Sequence, residues 1–318
     1  MTSRQPTAAA NRGWTYTDRA QRQDHGSDVL DFYASRYPHS SRDRWLERIR
    51  AGQVTLDGRP AGPDDRLRCG QVLRYHRPAW REAAVPTDFR VLHADEHVLA
   101  VNKPSGLPTL PGGDFLENTL LHRVRAACDP RAAPLHRLGR ATSGIVLFAL
   151  SPPARRRLSA DLAAGRMRKT YRALVQGAVD ADTLRIEVPI GRVPYAPLGY
   201  LHAATAQGRP SLTLCRVLER RPETTLVEVD LVTGRPHQIR IHLAAVGHPL
   251  AGDPLYAPGG LPVDPVGQGR APLPGDLGYH LHAMRLAFVH PHLQAEVTVS
   301  CPAPEVLQPG SAGAPGET

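Results

Sequence analysis

Apolar positions along the chain follow two different periods, and the change between them divides it. Between residues 28 and 50 they recur at helical spacing. Asp28-Val29-Leu30-Asp31-Phe32-Tyr33 opens an amphipathic helix. After Pro38 a second one starts at Ser40-Ser41, with serine as N-cap and Trp45, Leu46 and Ile49 as its apolar stripe. Gly52 ends it, and Val54-Thr55-Leu56 followed by Asp57-Gly58 predicts a short strand and a tight turn. From Phe89 onward short apolar runs and alternation with period two predominate. They predict strands over 98–101, 144–150, 171–175, 212–217, 225–232, 284–289 and 295–299. Helices are fewer there, over 117–127, 153–164 and 237–246, the last with Pro236 before it and Gly247 after it.

This pattern implies a flexible leader over 1–26, a small α+β unit over 27–80, a linker over 79–87 and a larger domain over 88–300. Strand runs outnumber helices in the larger domain and follow one another like hairpins. An α+β fold with a large mixed, mostly antiparallel sheet is therefore expected. Residues 257–278, rich in Gly and Pro, read as a surface loop, and 301–318 as a disordered tail.

Composition narrows the function classes. With 318 residues the chain can build two cores. No run approaches the ~18 uninterrupted apolar residues of a membrane span. Residues 1–26 lack the apolar stretch of a secretory signal, so a cytoplasmic protein with no membrane partner is expected. Cys69, Cys128, Cys215 and Cys301 form no Cys-x-x-Cys pair, and buried free thiols are the expectation. The net charge of +9 favours polyanions. Of the 39 basic residues only Lys103 and Lys169 are lysines. Where arginine is the default cation, a retained lysine hints that a compact ammonium is wanted.

The N-terminal unit resembles the small RNA-binding domain named after ribosomal protein S4. The resemblance rests on the helix pair, the basic second helix, Gly52-Gln53-Val54-Thr55-Leu56-Asp57-Gly58 and Gly70-Gln71-Val72-Leu73. It implies that Arg42, Arg44, Arg48 and Arg50 form a phosphate-facing side.

Four later segments come in order. They are Val101-Asn102-Lys103-Pro104-Ser105-Gly106-Leu107-Pro108, then Leu135-His136-Arg137-Leu138-Gly139-Arg140-Ala141-Thr142-Ser143-Gly144, then Arg168-Lys169-Thr170-Tyr171. The fourth is Gly234-Arg235-Pro236-His237-Gln238-Ile239-Arg240-Ile241-His242-Leu243, continuing to Gly252-Asp253-Pro254-Leu255-Tyr256. Together they resemble the RluA-type family of RNA pseudouridine synthases over roughly residues 88–300. That resemblance implies isomerisation of uridine in ribosomal or transfer RNA by a monomer, with no cofactor and no metal.

The implied reaction breaks the bond from ribose to uracil nitrogen, turns the base and rejoins it at a ring carbon. Positive character develops on the sugar, so a nearby carboxylate is useful, and the base must leave its stack. By resemblance, Tyr171 stacks on the base and relays the ring-carbon proton. Arg240 pairs with the catalytic carboxylate, while Ile239 and Leu243 form an apolar wall. Lys103, His136, Arg137, Leu138, Arg140, Thr142, Lys169, Arg235, His237 and Gln238 are the further substrate contacts.

One position departs. Where the family has His-Arg-Leu-Asp, this chain has His136-Arg137-Leu138-Gly139, and no Asp or Glu lies between Asp129 and Asp161. Loss of such a group typically costs roughly 10⁴ or more in rate. Three readings stay open. Asp114 or Asp253 supplies the carboxylate; or Tyr171 carries the proton work; or catalysis is lost while RNA binding stays, with a phosphate taking the place of the missing partner of Arg240. A metal hydrolase is disfavoured. His237 and His242 do not share a helical face, and no Cys or carboxylate completes His280 and His282.

Overall fold

The computed structural model describes residues 10–264 and 270–310. It divides into two compact units, Met1–Ala84 and Val85–Thr318. The first contains β1 (Trp14–Arg19), α1 (Val29–Arg36), α2 (Arg42–Arg50), β2 (Val54–Leu56), β3 (Arg59–Pro60) and β4 (Val72–Arg77). Both helices arise as the apolar spacing requires. Ser41 caps α2 by accepting the Arg44 amide, and Trp45 and Ile49 are the buried stripe. Asp57 and Gly58, both in the left-handed region, make the two-residue turn between β2 and β3. Residues 10–26 differ from the flexible leader expected of them. Strand β1 pairs along its whole length with β4, and the sheet order is β1-β4-β2-β3. Its Thr, Asp and Arg residues hid an edge strand whose pattern is mostly exposed. Residues 1–9 lie outside the described residues.

The second unit starts with β5 (Arg90–Ala94), β6 (Val98–Lys103), α3 (Leu120–Ala127), β7 (Ala133–Pro134), β8 (Ser143–Ala149) and α4 (Pro152–Ala163). It continues with β9 (Arg168–Gln176), β10 (Thr183–Ile186), β11 (Ile190–Tyr195), β12 (Gly199–Ala204), β13 (Thr213–Arg220) and β14 (Thr224–Leu231). It closes with α5 (Gln238–Ala245), β15 (Tyr256–Ala257), β16 (Leu261–Pro262), β17 (Leu281–Val289) and β18 (Glu296–Ser300). A ten-stranded sheet runs β10-β13-β14-β9-β17-β8-β6-β5, with β18 on β17 and β7 on β8. The β17–β8 pair is parallel and the other pairs are antiparallel, so the sheet is mixed as the alternation implied.

Burial explains the near-continuous apolar runs of β6 and β8. Leu99, Val101, Val146 and Phe148 face one core with Leu120 and Val124 of α3. Their neighbours Val98, Ala100, Ile145 and Leu147 face a second core with Leu158 of α4. A strand covered on both faces has no polar alternation to show. The β11–β12 ribbon was not anticipated, because Pro194 interrupts its first strand. A two-stranded ribbon tolerates that proline, and Leu201 and Tyr195 pack with Ile241 and Ala244 of α5.

Other expectations need correction. Cys69 and Cys128 are exposed, one in a turn and one at the C-cap of α3, while Cys215 and Cys301 are buried; all four are free. The 257–278 stretch holds the β15–β16 pair, and the Pro272 carbonyl accepts a 2.6 Å bond from the Tyr195 hydroxyl, so part of it is packed. Residues 265–269 lie outside the described residues. In the expected tail, Leu307 is buried, and 311–318 lie outside the described residues. No described helix is long and apolar enough to cross a membrane.

Candidate active site

A cavity of about 900 Å³ opens where β9, α5, the start of β17 and the 136–142 loop meet, within the size range of a ligand pocket. The elements position its walls in different ways. Lys169 and Tyr171, two apart on β9, project to one face and both line it. Register places Tyr171 opposite Ala283, a small residue that leaves room for the ring. Gly144, next in line, has φ +108°, and an added Cβ would sit 2.3 Å from the Ala283 carbonyl. Glycine is needed there so that β8 can approach β17.

The 136–142 loop is strapped down by the segment before it. Lys103 Nζ donates to the carbonyls of Leu107 (2.7 Å), Pro104 (2.9 Å) and Arg140 (3.2 Å). The Ser105 hydroxyl donates to Ala141 O, and the Thr109 hydroxyl donates to Leu138 O. Lys103 is fully buried and does not line the cavity, which corrects its assignment as a substrate contact. Burial, and then Arg140, pulls its pKa down to about 7, while three carbonyl acceptors match the three donors of an ammonium. Here a compact ammonium is wanted for structure.

His136 lines the cavity, yet its Nε2 accepts the Leu147 amide at 3.2 Å. Burial, and then Lys169, lowers its pKa to about 4, so the ring is neutral and carries its proton on Nδ1. Arg137 is exposed at the mouth. Arg140 donates to Gly106 O and lies 4.8 Å over Phe115. Leu138 is buried against the core.

The α5 side is more rigid. Gln238 uses its whole amide internally: Oε1 accepts from Thr233 and the Arg235 amide, and Nε2 donates to Leu212 O and Thr213 Oγ1. It holds the turn into α5 and has nothing left for a substrate, which corrects its assignment. His237 precedes the helix at φ 56°, a left-handed conformation uncommon for histidine, and is bonded to the Tyr256 hydroxyl at 2.7 Å. Burial, and then Arg240, lowers its pKa to about 3. Pro236 stands just outside the helix, before that cap. Ile239 and Leu243 belong to the core below the cavity. Arg235 lines the opening and donates to Pro210 O at 3.3 Å.

The third reading left Arg240 without a partner, and here it has one. Its Nε and Nη2 donate to the two oxygens of Asp253 at 2.7 and 2.6 Å, and the Asp253 side chain is fully buried. Burial disfavours the guanidinium charge, but this bidentate pair outweighs it and the pKa is raised. Asp253 also accepts the Leu255 amide and does not line the cavity, so it is a clamp on Arg240. Asp114 does not line the cavity either. Among the described residues lining it there is no Asp or Glu.

Gly139 is exposed at the cavity floor, and its φ lies outside the left-handed region, so the backbone does not demand glycine. An added Cβ would lie 3.0 Å from the Tyr279 hydroxyl and 3.5 Å from Thr142 Oγ1. Thr142 and Tyr279 are themselves 3.3 Å apart, and the Arg240 guanidinium lies 4.4 Å from the Tyr279 ring centre. Tyr279 was missed from sequence because it sits in a Gly-Pro-rich stretch without a motif. Tyr171 is buried, and burial raises its pKa to about 12, so it is a neutral phenol at any ordinary pH. No group of three His, Cys, Asp or Glu among the described residues is placed to hold a metal ion.

In the other unit, α2 does not present its four arginines on one side. Arg42 pairs with Asp31 of α1, and Arg44 lies 3.5 Å from Glu47. Arg48 covers Trp45 and Tyr75 at 4.4 and 5.2 Å, and Arg50 is exposed.

Residues 97–245 match the family model described as RNA pseudouridylate synthase. The chain is 44% identical to an uncharacterized RNA pseudouridine synthase of Synechocystis over 88% of its own length and 95% of that protein's. It is 36% identical to ribosomal large subunit pseudouridine synthase D of Neisseria meningitidis over 84% and 73% of the two lengths. A solved structure, human RNA pseudouridylate synthase domain containing 1, superposes with a TM-score of 0.56 at 26% identity, over 71% of this chain and 89% of that one. With the mixed sheet, the strapped loop and the Arg240 wall, these likenesses establish that the chain belongs to the RluA-type family of RNA pseudouridine synthases.

Proposed function

We propose that this protein converts uridine to pseudouridine in structured ribosomal RNA, holding the flipped base over Tyr171. The observation that carries the reading is the cavity itself. Tyr171 offers a buried aromatic face, and Arg137, Lys169 and Arg235 stand around the opening with a free hand for phosphates. Ribosomal RNA is favoured over transfer RNA because the Neisseria relative is named for the large ribosomal subunit. The N-terminal unit, with Arg44 and Arg48 four apart on one face of α2, acts as an accessory RNA-binding module. Tyr171, its pKa raised to about 12 by burial, serves as a neutral stacking platform, not as a resting base.

A second reading has a specific observation behind it. No carboxylate among the described residues lines the cavity, which favours an RNA-binding protein of the same fold without turnover. Release of tritium from ribosomal RNA labelled at uridine carbon 5 separates the two. Isomerisation expels that hydrogen and binding alone retains it. Tritium release above background by wild type is expected, and binding without release would leave the second reading standing.

A further inference from the structure

The family's aspartate position is empty in sequence but not in space. A Cβ added at Gly139 would meet the phenol oxygen of Tyr279 first, at 3.0 Å. The phenol oxygen therefore lies beside the space that a short side chain at 139 would fill. The glycine is not required by backbone conformation. What its missing side chain does is leave room for a hydroxyl that arrives from the start of β17.

We propose that Tyr279 is the catalytic residue that replaces the side chain absent at position 139, its phenol oxygen forming the transient bond to the ribose. This rests on the isomerase reading above. Three further observations support it. Tyr279 lines the cavity, and among the described lining residues no Asp, Glu or Cys offers another anionic nucleophile. The Arg240 guanidinium, fixed by Asp253, lies 4.4 Å from the ring and stabilises negative charge developing on the phenol oxygen. Thr142 Oγ1, at 3.3 Å, can donate to that same oxygen. Tyr171 has no such surroundings: no hydrogen bond and no guanidinium contact involves its ring or hydroxyl among the described residues, and it is left to stack.

The chemistry balances without another reactant. The Tyr279 oxygen bonds to the anomeric carbon as the bond to uracil N1 breaks. The released electron pair stays with the base, and the phenol proton passes to it, so N1 becomes N–H. The base turns, and its C5 bonds to the anomeric carbon as the carbon–tyrosine bond breaks and its pair returns to the phenol oxygen. The C5 proton then passes to the phenolate, which restores Tyr279. Nothing is oxidised or reduced, and two displacements retain the sugar configuration. Tyrosine serves as nucleophile at an anomeric carbon in one class of glycosidase, so the role is chemically attainable.

The test compares wild type, Tyr279→Phe and the double variant Gly139→Asp/Tyr279→Phe. Each is assayed for tritium release from carbon-5-labelled ribosomal RNA, with RNA affinity and melting temperature measured alongside. Tyr279→Phe removes a single oxygen and should lower release by roughly 10⁴, with affinity and melting temperature close to wild type. The double variant puts a carboxylate into the vacated volume and should recover part of the loss, which a purely structural role for the phenol would not allow. Release by Tyr279→Phe within tenfold of wild type would overturn the proposal and leave the isomerase reading intact. A wild type that binds RNA but releases no tritium would overturn both.

Discussion

The two walls of the cavity are built on opposite principles. On the α5 side the polar groups of the helix and its cap are already engaged. Gln238 makes four bonds, Arg240 is clamped by Asp253, and His237 is tied to Tyr256. On the 136–142 side the loop is held from below through its backbone, by Lys103, Ser105 and Thr109. Its upper surface therefore presents an exposed Arg137 and a bare Gly139. One wall is fixed throughout, and the other leaves Arg137 and the space at Gly139 open to a ligand.

The sharpest way to break this contrast is to cut the clamp. Asp253→Ala leaves the Arg240 guanidinium buried without its two carboxylate bonds. Loss of one partner of a buried pair typically costs about 3–5 kcal/mol. Arg137→Ala, on the exposed side, should change stability by no more than about 0.5 kcal/mol. Chemical denaturation of both variants measures the difference. Equal stabilities would mean that the α5 wall does not depend on its internal pairing. Replacing both Asp253 and Arg240 by apolar residues of similar volume should cost less than Asp253→Ala alone, because no charge is then stranded.

Much of this architecture was legible in the sequence, for reasons that can be named. The helices over 42–50 and 238–245 carry their stripe and their punctuation, and β8 and β9 carry dense apolar runs. The strand at 14–19 was not legible, because an edge strand with both faces largely wet has no apolar period. In the site, Tyr171 and Gly139 stood out in motifs. Asp253 stood out as a candidate carboxylate but not as the partner of Arg240, since nothing in the spacing of 240 and 253 says that the intervening turn brings them to 2.6 Å. Tyr279 was invisible for a similar reason. It meets the 136–142 loop only through the parallel pairing of β17 with β8, a contact across more than a hundred residues.

Acid should expose the rigid wall more gently. The pKa of His237 is about 3 in the folded protein against 6.5 for the free side chain. Below pH 6.5 the unfolded chain takes up a proton that the folded chain refuses. The stability contributed by the neutral ring is therefore complete above about pH 6.5 and is lost as pH falls toward 3. At pH 5 the loss is about 2 kcal/mol. His237→Asn should flatten this part of the pH–stability curve, because asparagine tolerates the left-handed backbone without titrating there. An unchanged acid slope would show that His237 is not held neutral by its wall.

The free groups make the smallest and most diagnostic prediction. Lys169 lines the cavity with no acid partner among the described residues, and Gly234 opposite it leaves its ammonium room: a Cβ there would come within 3.3 Å of Nζ. Burial lowers its pKa, which disfavours the bare cation and makes an arriving anion the natural partner. If that anion is an RNA phosphate, Lys169→Gln should weaken binding by about tenfold at moderate salt. It should also reduce the slope of log affinity against log salt by about 0.7–0.9, the share of one phosphate contact. Stability should barely move, because no internal bond is lost. A weaker affinity with an unchanged salt slope would mean that Lys169 meets the base or the sugar instead, and that the cavity reads the nucleoside as well as its backbone.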